Sequence, residues 1–327
     1  MSRPVYLLDA SIYIFQAYFS PHLQIWAQDG RDLSAFFGFA QFLLRFLRQA
    51  RPRYVAAAFD ESLFCGFRHT LYPAYKSNRE LPDENLARQL QACAELSSLL
   101  GVTAFGSRVY EADDIIGTLA SRIRAAQGEM ELESPPTISI VSRDKDLAQL
   151  LRAEQDHLWD FSGGTRRFRK DIVAQYGIRP EQFPDYLGLV GDAVDSIPGV
   201  PGIGPVAATA LLHHFESIPL LYENLDDVAM LSYRGAAKAP ELLRRYEAEA
   251  YLSRTLATIV QDVDISEEAF SQVPVPTLYW REPQVERIRE LLQREGLDAQ
   301  AVERFIALLA GLQPAAFTHS HAHGIPA

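Results

Sequence analysis

Residues 109–123 read VYEADDIIGTLASRI, and three acids, Glu111, Asp113 and Asp114, stand directly before an apolar helical pattern. The apolar residues recur at the spacing of one helix face, which predicts a buried helix: Ile115, Ile116, Leu119 and Ile123. One or two carboxylates at a helix start are enough to cap free N–H groups and to suit the positive end of the helix dipole. Three acids are more than capping needs, which indicates a second role for this stretch. Acids elsewhere in the chain help to define that role.

Composition limits the class of protein. The chain has 327 residues, 48% of them hydrophobic, which is enough for one large domain or two smaller ones. With only Cys65 and Cys93, neither a disulfide framework nor a thiolate metal site is expected. The net charge of -11 argues against a protein that coats nucleic acid by bulk positive charge, but not against an enzyme whose carboxylates bind cations. The N-terminus does not resemble a signal peptide and no apolar run could span a membrane, so we expect a cytoplasmic protein.

Strand and helix patterns alternate along the N-terminal half. Four apolar runs are typical of buried parallel strands: PVYLLDA (4–10), YVAAAFD (54–60), VTAFGS (102–107) and the start of TISIVSRDKDLAQLL (137–151). The alternation predicts an α/β fold with a mainly parallel, twisted sheet flanked by helices. Ligands of such sheets bind beyond the carboxyl ends of the strands, and this chain places acids at those ends.

These acids form a candidate metal site together with two acids of GDAVDSIPG (191–199). The set is Asp9, Asp60, Glu111, Asp113, Asp114, Asp144, Asp146, Asp192 and Asp195. An extended strand end would put Asp144 and Asp146 on one face with Lys145 turned away, and a helical turn would bring Asp192 and Asp195 together. Hard oxygen ligands without His or Cys favour Mg²⁺ or Mn²⁺. More acids than one ion needs indicate two ions about 4 Å apart, although any single Asp is equally typical of a cap or turn.

Two further stretches carry patterns that suit nucleic acid. PGVPGIGPVAATALL (198–212) predicts two short helices joined by a glycine turn, a helix-hairpin-helix that grips a DNA backbone through N–H groups. An ordinary helix–helix turn would look similar. In FRHTLYPAYKSNR (67–79), basic and aromatic residues alternate, so the stretch could hold phosphates and stack on bases. A solvated surface loop is the alternative interpretation.

Together the motifs occur in a characteristic order over roughly residues 4–265: YLLDAS (6–11), AFD (58–60), FRHTLYPAYKSNR (67–79), YEADD (110–114), SRDKDLAQLL (142–151), GDAVDSIPGVPGIG (191–204) and LSRTLATI (252–259). In this combination the chain resembles the 5′-nuclease family. That family includes the 5′→3′ exonuclease domain of bacterial DNA polymerase I and stand-alone flap endonucleases.

The resemblance implies a helical arch and a helix-hairpin-helix subdomain attached to the sheet. It implies one metal position near Asp9, Asp60, Glu111, Asp113 and Asp114, and a second completed by Asp144, Asp146, Asp192 and Asp195. Direct catalytic roles fall to Lys76, Arg79 and Asp114.

The same resemblance implies the contacts with DNA. Lys76 and Arg79 would steady the scissile phosphate, Tyr75 would stack on the terminal base, and Arg68 would lie near the arch base. The hairpin would bind the duplex, with K⁺ in its turn, through Gly199, Gly202, Ile203 and Gly204.

Two positions depart from the family pattern. Ser196 stands where the family usually has Asn, so the loop between the metal site and the hairpin is expected to be held differently. The run Pro205-Val206-Ala207-Ala208 lacks the Lys that usually follows the last hairpin glycine. Duplex binding is therefore expected to be weaker or less dependent on salt.

The expected organisation is a nuclease core over 1–170 with its arch at 67–100, and a helix-hairpin-helix subdomain over 171–265. A helical extension over 266–312 and a disordered tail over 313–327 follow, which leaves no room for a polymerase.

The predicted function is that of a structure-specific 5′-3′ exonuclease or flap endonuclease that hydrolyses phosphodiester bonds by a two-metal mechanism. The expected partner is DNA with a 5′ flap, a nick or a single-stranded 5′ end, including RNA–DNA primer junctions, bound by a monomer. A non-catalytic structure-specific DNA-binding protein is one alternative, but it should lack some of the acids. A PIN-type ribonuclease is another, but it should lack the hairpin and the arch.

Overall fold

A six-stranded sheet forms the centre of the N-terminal half in the computed structural model, which describes residues 4–62, 65–126, 136–264 and 269–314. The strands are β1 (Val5–Asp9), β2 (Tyr54–Asp60), β3 (Thr103–Ser107), β4 (Ile138–Val141), β5 (His157–Asp160) and β6 (Thr165–Phe168). Their order is β3-β2-β1-β4-β5-β6, and only β6 runs antiparallel to its neighbour. The predicted mainly parallel α/β sheet is thereby confirmed. Most of the tail predicted over 313–327 lies outside the described residues.

The strand register brings the acids to one edge of the sheet. β1 lies between β2 and β4 and is parallel to both, so Asp9 ends the central strand. Asp60 ends β2 beside Ser107, the last residue of β3. The carboxyl ends of parallel strands lie at one edge of the sheet. The acids in the loops after β3 and β4 therefore lie at this edge as well.

Helices cover both faces of the sheet. In the N-terminal half they are α1 (Ala10–Tyr18), α2 (Ser34–Ala50), α3 (Phe67–Leu71), α4 (Glu84–Leu99) and α5 (Ala112–Ala125). Successive side chains of β1 point to opposite faces, so Val5 and Leu7 pack with α5 while Tyr6 and Leu8 pack with α1, α2 and α4. Burial on both faces explains why β1 and β2 are apolar along nearly their whole length.

The remaining helices are α6 (Arg169–Tyr176), α7 (Phe183–Val190), α8 (Pro205–Phe215), α9 (Ile218–Glu223), α10 (Ala239–Arg245), α11 (Glu247–Ala257), α12 (Val285–Arg294) and α13 (Ala299–Leu309). The sequence predicted a single helix over 241–260. That prediction is wrong, because Tyr246 leaves the helical conformation and separates α10 from α11. No helix within the described ranges is long and apolar enough to cross a membrane.

Helix α4 is anchored in the core along one face, so within the arch predicted over 67–100 it can form only a fixed base. Leu86, Cys93 and Leu96 bury one face of α4 in the same core as α2. Helix α12 packs on α4 as well, and the indole Nε1 of Trp280 donates to the carbonyl of Leu100 at 2.8 Å. The segment that can stand over the site therefore ends near residue 83.

Candidate active site

Three carboxylates without a cationic ion-pair partner, one buried and two half-buried, lie at the centre of the acid-lined edge. The hydroxyl of Ser142 donates to Oδ2 of Asp9 at 2.8 Å. Burial, with the nearby charge of Asp144, raises the pKa of Asp9 to about 7. Burial, with the charges of Asp144 and Asp9, also raises the pKa of Asp113. Among the described residues, no ion pair joins a cation to Asp9, Asp113 or Asp144, so their mutual repulsion is not offset.

A second group of acids lies beside the first and is in contact with a lysine. Burial and the charge of Asp144 raise the pKa of Asp146 to about 7. The ammonium Nζ of Lys145 lies 2.6 Å from Oδ2 of Asp192 and 3.3 Å from Oδ1 of Asp146. The prediction that Lys145 turns away is therefore wrong. The strand does not continue here: Asp146 begins a 3₁₀ helix that redirects the side chain of Lys145 towards Asp192.

The loop that carries Asp192 and Asp195 is a tight turn, not the predicted helical turn. Asp192 and Ile197 each donate a backbone N–H to the other's carbonyl, at 2.9 and 2.8 Å. Ser196 adopts a φ of 58°, in the left-handed region that Asn tolerates better than Ser. The turn is closed by its backbone and does not need an amide side chain at position 196.

Glu111 connects the acids to the segment after β2. Its Oε1 accepts a bond from Nζ of Lys76 at 2.9 Å, and its Oε2 accepts one from the hydroxyl of Tyr75 at 3.0 Å. Burial alone would raise its pKa, but the charges of Lys76 and Arg68 lower the pKa of Glu111 to about 2. Glu111 is therefore ionised and already paired.

Asp60 lies at the same edge, held by hydroxyl groups. Its backbone N–H donates to the hydroxyl of Ser11 at 2.8 Å, and its Oδ1 accepts the hydroxyl of Ser62 at 2.7 Å. Burial and the charge of Glu111 raise the pKa of Asp60. Asp60 therefore adds a fourth carboxylate that favours a cation.

Both carboxylate oxygens of Asp114 are taken by the buried guanidinium of Arg68, so this arrangement does not support the predicted role of Asp114 as a metal ligand and catalytic group. Its Oδ2 and Oδ1 accept bonds from the guanidinium of Arg68 at 2.7 and 2.8 Å. The same oxygens accept the backbone N–H groups of Glu111 and Val260. Helical geometry explains the separation, since consecutive residues point about 100° apart and Asp113 faces the cluster instead.

Arg68 is likewise unavailable to DNA, contrary to prediction. Its side chain is 3% exposed, and it also donates to the carbonyls of Leu256 and Thr258 at 2.9 and 2.8 Å. It therefore ties α3 to the start of α5 and to the end of α11.

The predicted arch residues lie over the acids. Tyr75 is 3% exposed, so its ring cannot stack on a base in this arrangement. Arg79 contacts Oδ1 of Asp195 at 2.6 Å, and the backbone N–H of Lys76 donates to the carbonyl of Asp195. Lys76 adopts a φ of 51°, a strained conformation typical of functional segments. Beside these residues lies an open cleft of about 400 Å³, lined in part by His69 and Arg79.

The glycine turn before α8 contains one glycine with a structural role. Gly199 has a φ of 64°, and a Cβ there would lie 2.3 Å from the backbone nitrogen of Gly191. Its N–H donates to the hydroxyl of Ser253 at 2.9 Å. This N–H is therefore not free for a phosphate, so the predicted DNA contact of Gly199 is replaced by a packing role.

The exposed part of this turn lies at the start of α8. Gly202 and Gly204 are exposed, whereas the side chain of Ile203 is buried and cannot reach DNA. Val206 is 77% exposed at the second position of α8. Gly202, Gly204 and Val206 therefore make the start of α8 the exposed part of the turn, where a helix N-terminus suits a phosphate.

Sequence reasoning missed two residues that organise the acids. Ser142 holds Asp9 and accepts the N–H of Asp144 at 3.0 Å, and Lys145 contacts the second group. Both residues belong to the motif SRDKD (142–146). A serine before the two acids and a lysine between them were the features from which these contacts could have been predicted.

The donor set suits hard divalent cations, although it is not preassembled. Within the ranges that the structure describes, no three His, Cys, Asp or Glu side chains are gathered closely enough to hold a metal ion. The carboxylate oxygens of these acids instead accept hydrogen bonds from hydroxyl groups, lysine side chains and backbone N–H groups. Oδ1 of Asp146 is nevertheless buried without a hydrogen bond, and four acids have raised pKa values. Buried, like-charged oxygen donors of this kind fit Mg²⁺ or Mn²⁺.

Two family descriptions match the chain in succession. The first, "5′-3′ exonuclease, N-terminal resolvase-like domain", covers residues 4–177, and the second, "5′-3′ exonuclease, C-terminal SAM fold", covers residues 178–277. A 5′-3′ exonuclease of Buchnera aphidicola is 32% identical over 265 residues, which is 81% of this chain and 88% of that protein. DNA polymerase I of Mycobacterium bovis is 33% identical over 80% of this chain, which spans only 28% of the polymerase.

Solved structures share the fold at lower identity. The bacteriophage T5 5′-exonuclease with bound zinc ions has a TM-score of 0.57 at 17% identity, covering 94% of this chain and 98% of that one. The catalytic core of Rad2 in complex with DNA substrate has a TM-score of 0.59 at 16% identity, covering 94% and 96%. These structures support the fold alone.

Proposed function

The chain belongs to the 5′-3′ exonuclease family, and from this premise we propose that it hydrolyses phosphodiester bonds of DNA at 5′ ends and 5′ flaps. The proposal covers the nuclease reaction only, because the chain spans 28% of the length of the Mycobacterium bovis polymerase. Removal of RNA primers and repair of DNA are the processes that such a reaction serves. DNA is bound by the Rad2 core and by the T5 flap endonuclease among the structural relatives.

One observation carries the proposal: two groups of carboxylates meet at one sheet edge, directly beneath cationic side chains. Asp9, Asp113 and Asp144 form the first group, and Asp146, Asp192 and Asp195 form the second. Lys76 and Arg79 contact acids at this edge at 2.9 and 2.6 Å. Hydrolysis of a phosphodiester by a two-metal mechanism requires carboxylates that bind divalent cations. It also requires positively charged side chains nearby that bind the phosphate.

Two Mg²⁺ ions held by these groups would supply an activated water and stabilise the leaving oxygen. Lys76 and Arg79 orient the phosphate and offset the charge that develops on it. To do so they leave Glu111 and Asp195, whose oxygens then become available. The exposed start of α8 holds the backbone of the duplex, with Gly202 and Gly204 allowing close approach. A K⁺ ion in this turn stays a prediction.

The decisive experiment is a gel assay with labelled 5′-flap, nicked and single-stranded DNA, in Mg²⁺ or in EDTA. We expect cleavage in Mg²⁺ only. Asp113→Asn should lower the cleavage rate by at least about 100-fold, because it removes a charge from the first group. Flap binding measured in Ca²⁺ should change little. Asp227→Asn, an exposed acid outside the site, is the matched control and should cut normally.

Other outcomes would favour the alternatives. Flap binding with no cleavage in Mg²⁺ or Mn²⁺ would indicate a DNA-binding protein without activity. Cleavage confined to RNA would indicate a ribonuclease. Unchanged cleavage by Asp113→Asn would show that the acid-lined edge is not the active site.

A further inference from the structure

The position of Lys145 within the acid-lined edge has a functional consequence. Its ammonium lies 2.6 Å from Oδ2 of Asp192 and 3.3 Å from Oδ1 of Asp146, two acids that the proposed function assigns to cation binding. Their side chains are 8% and 13% exposed, and that of Lys145 is 38% exposed. The ammonium therefore meets two largely desolvated carboxylates, where its attraction is stronger than on an open surface.

The loop geometry holds Lys145 in this position. The hydroxyl of Ser142 accepts the N–H of Asp144 at 3.0 Å, and Oδ1 of Asp144 accepts the N–H of Asp146 at 2.8 Å. These two bonds fix the backbone on both sides of Lys145. The 3₁₀ helix that begins at Asp146 then directs the side chain towards the turn that carries Asp192. The fold therefore places Lys145 within reach of both acids, although its side chain keeps the freedom to leave them.

We propose that Lys145 competes with a divalent cation for Asp146 and Asp192, and so makes one of the two cation positions weaker than the other. The inference rests on the proposed function, because it assumes that these acids take a cation. Two positive species cannot both use the same carboxylate oxygens at full strength, so a bound cation must displace the ammonium. Arg79, 2.6 Å from Asp195, adds positive charge to the same group.

The first group of acids supplies the contrast. Asp9, Asp113 and Asp144 have no ion-pair partner in the part of the chain that the structure describes. A cation there displaces no ammonium and relieves repulsion between like charges. The protein should therefore bind one cation tightly through the first group and another weakly through the second.

The test is a Mn²⁺ titration of the full chain without DNA, in which electron paramagnetic resonance reports the free ion. The wild type should show a tight and a weak class of sites. Lys145→Met keeps most of the side-chain length but removes the charge. It should lower the dissociation constant of the weak class by about fivefold and leave the tight class unchanged. Lys170→Met, at an exposed lysine of α6, corrects for the general effect of net charge. Lys145→Arg should bind Mn²⁺ as the wild type does.

Three results would overturn the inference. They are unchanged binding constants in Lys145→Met, weaker Mn²⁺ binding in that variant, or an equal gain in Lys170→Met. Failure of the proposed function gives a different signature: the wild type itself would bind no Mn²⁺, and cleavage of the DNA substrates would fail in parallel. Circular dichroism of each variant establishes that folding is retained.

Discussion

At the scale of single residues, Arg68 and Asp114 form the most buried ion pair of the site. Their side chains are 3% and 0% exposed, and two hydrogen bonds of 2.7 and 2.8 Å join them. Removing one partner of such a pair leaves a buried charge without compensation. Asp114 therefore holds Arg68 and the start of α5 in place, and we expect its effect on the protein to be one of position.

We expect Asp114→Asn to lower the free energy of unfolding by about 3 kcal/mol, because the buried Arg68 guanidinium would lose its two shortest carboxylate contacts and keep only the carboxylate of Glu111, 3.4 Å away. Urea unfolding followed by circular dichroism measures the change. The double variant Arg68→Met/Asp114→Leu should recover much of the loss, since it removes both charges together. Stability close to that of the wild type in Asp114→Asn would contradict the positioning role.

The sequence identified the residue types of the site but not their pairings. Acids at strand ends were predictable, because strand boundaries depend on local hydrophobic patterning. The contact of Arg68 with Asp114 joins residues 46 positions apart, and side-chain direction at that range depends on tertiary packing. For the same reason Lys145 was expected to point away from the acids that it contacts.

At the scale of elements, the start of α8 is the exposed end of the predicted hairpin. Val206 occupies its second position, is 77% exposed, and stands near the place where the family usually has a lysine. An apolar residue there contributes no charge to the neutralisation of DNA phosphates. If this helix start meets DNA as proposed, a lysine at position 206 should therefore add a contact that the wild type lacks.

Val206→Lys should bind flap DNA severalfold more tightly at low salt, because it adds one phosphate contact. It should also steepen the dependence of log affinity on log salt concentration by about one. Fluorescence anisotropy with Ca²⁺ in place of Mg²⁺ measures binding without cleavage. Val285→Lys, at the start of α12 and 37% exposed, is the matched control and should leave the slope unchanged. Equal slopes in the wild type and Val206→Lys would show that this helix start does not meet DNA.

Helices and strands were predicted best where a single periodic pattern of apolar residues ran through the whole element. Strands β1 and β2 and helix α5 lie where the apolar patterns indicated. Helix α4 lies inside the range 67–100 that was predicted to form an arch, and the sequence did not indicate what its apolar face packs against. Amphipathic spacing shows that a helix buries one face and does not show against which partner, and here the partners are α2 and α12.

At the scale of the whole molecule, the clustered acids couple stability to pH. Burial, with the charge of Asp144, raises the pKa of Asp146 from 3.8 to about 7 in the folded protein. Between these two values the folded protein binds the proton more tightly than the unfolded chain does. The stabilisation by this group is therefore complete at low pH and is lost as the pH rises through about 7.

In EDTA, the wild type should lose more of its unfolding free energy between about pH 5 and about pH 8 than Asp146→Asn does. Urea unfolding at each pH measures the difference. Burial lowers the pKa values of His69 and His157, which act in the opposite direction, but both are present in the two proteins and cancel in the comparison. Mg²⁺ should reduce the loss in the wild type, because it favours the ionised carboxylates. Identical pH profiles would show that Asp146 titrates normally.

The anchoring of α4 limits what can pass over the site. Helix α3 ends at Leu71 and α4 begins at Glu84, with α4 fixed in the core. Residues 72–83 therefore have a contour of at most about 40 Å when fully stretched. A bridge of that length can rise around an unpaired strand. Its contour is shorter than the circumference of a double helix, so we expect it to admit an unpaired strand and not a duplex. We therefore expect a 5′ end that has folded back on itself, or that carries a bound protein, to be cut more slowly than a free unpaired end.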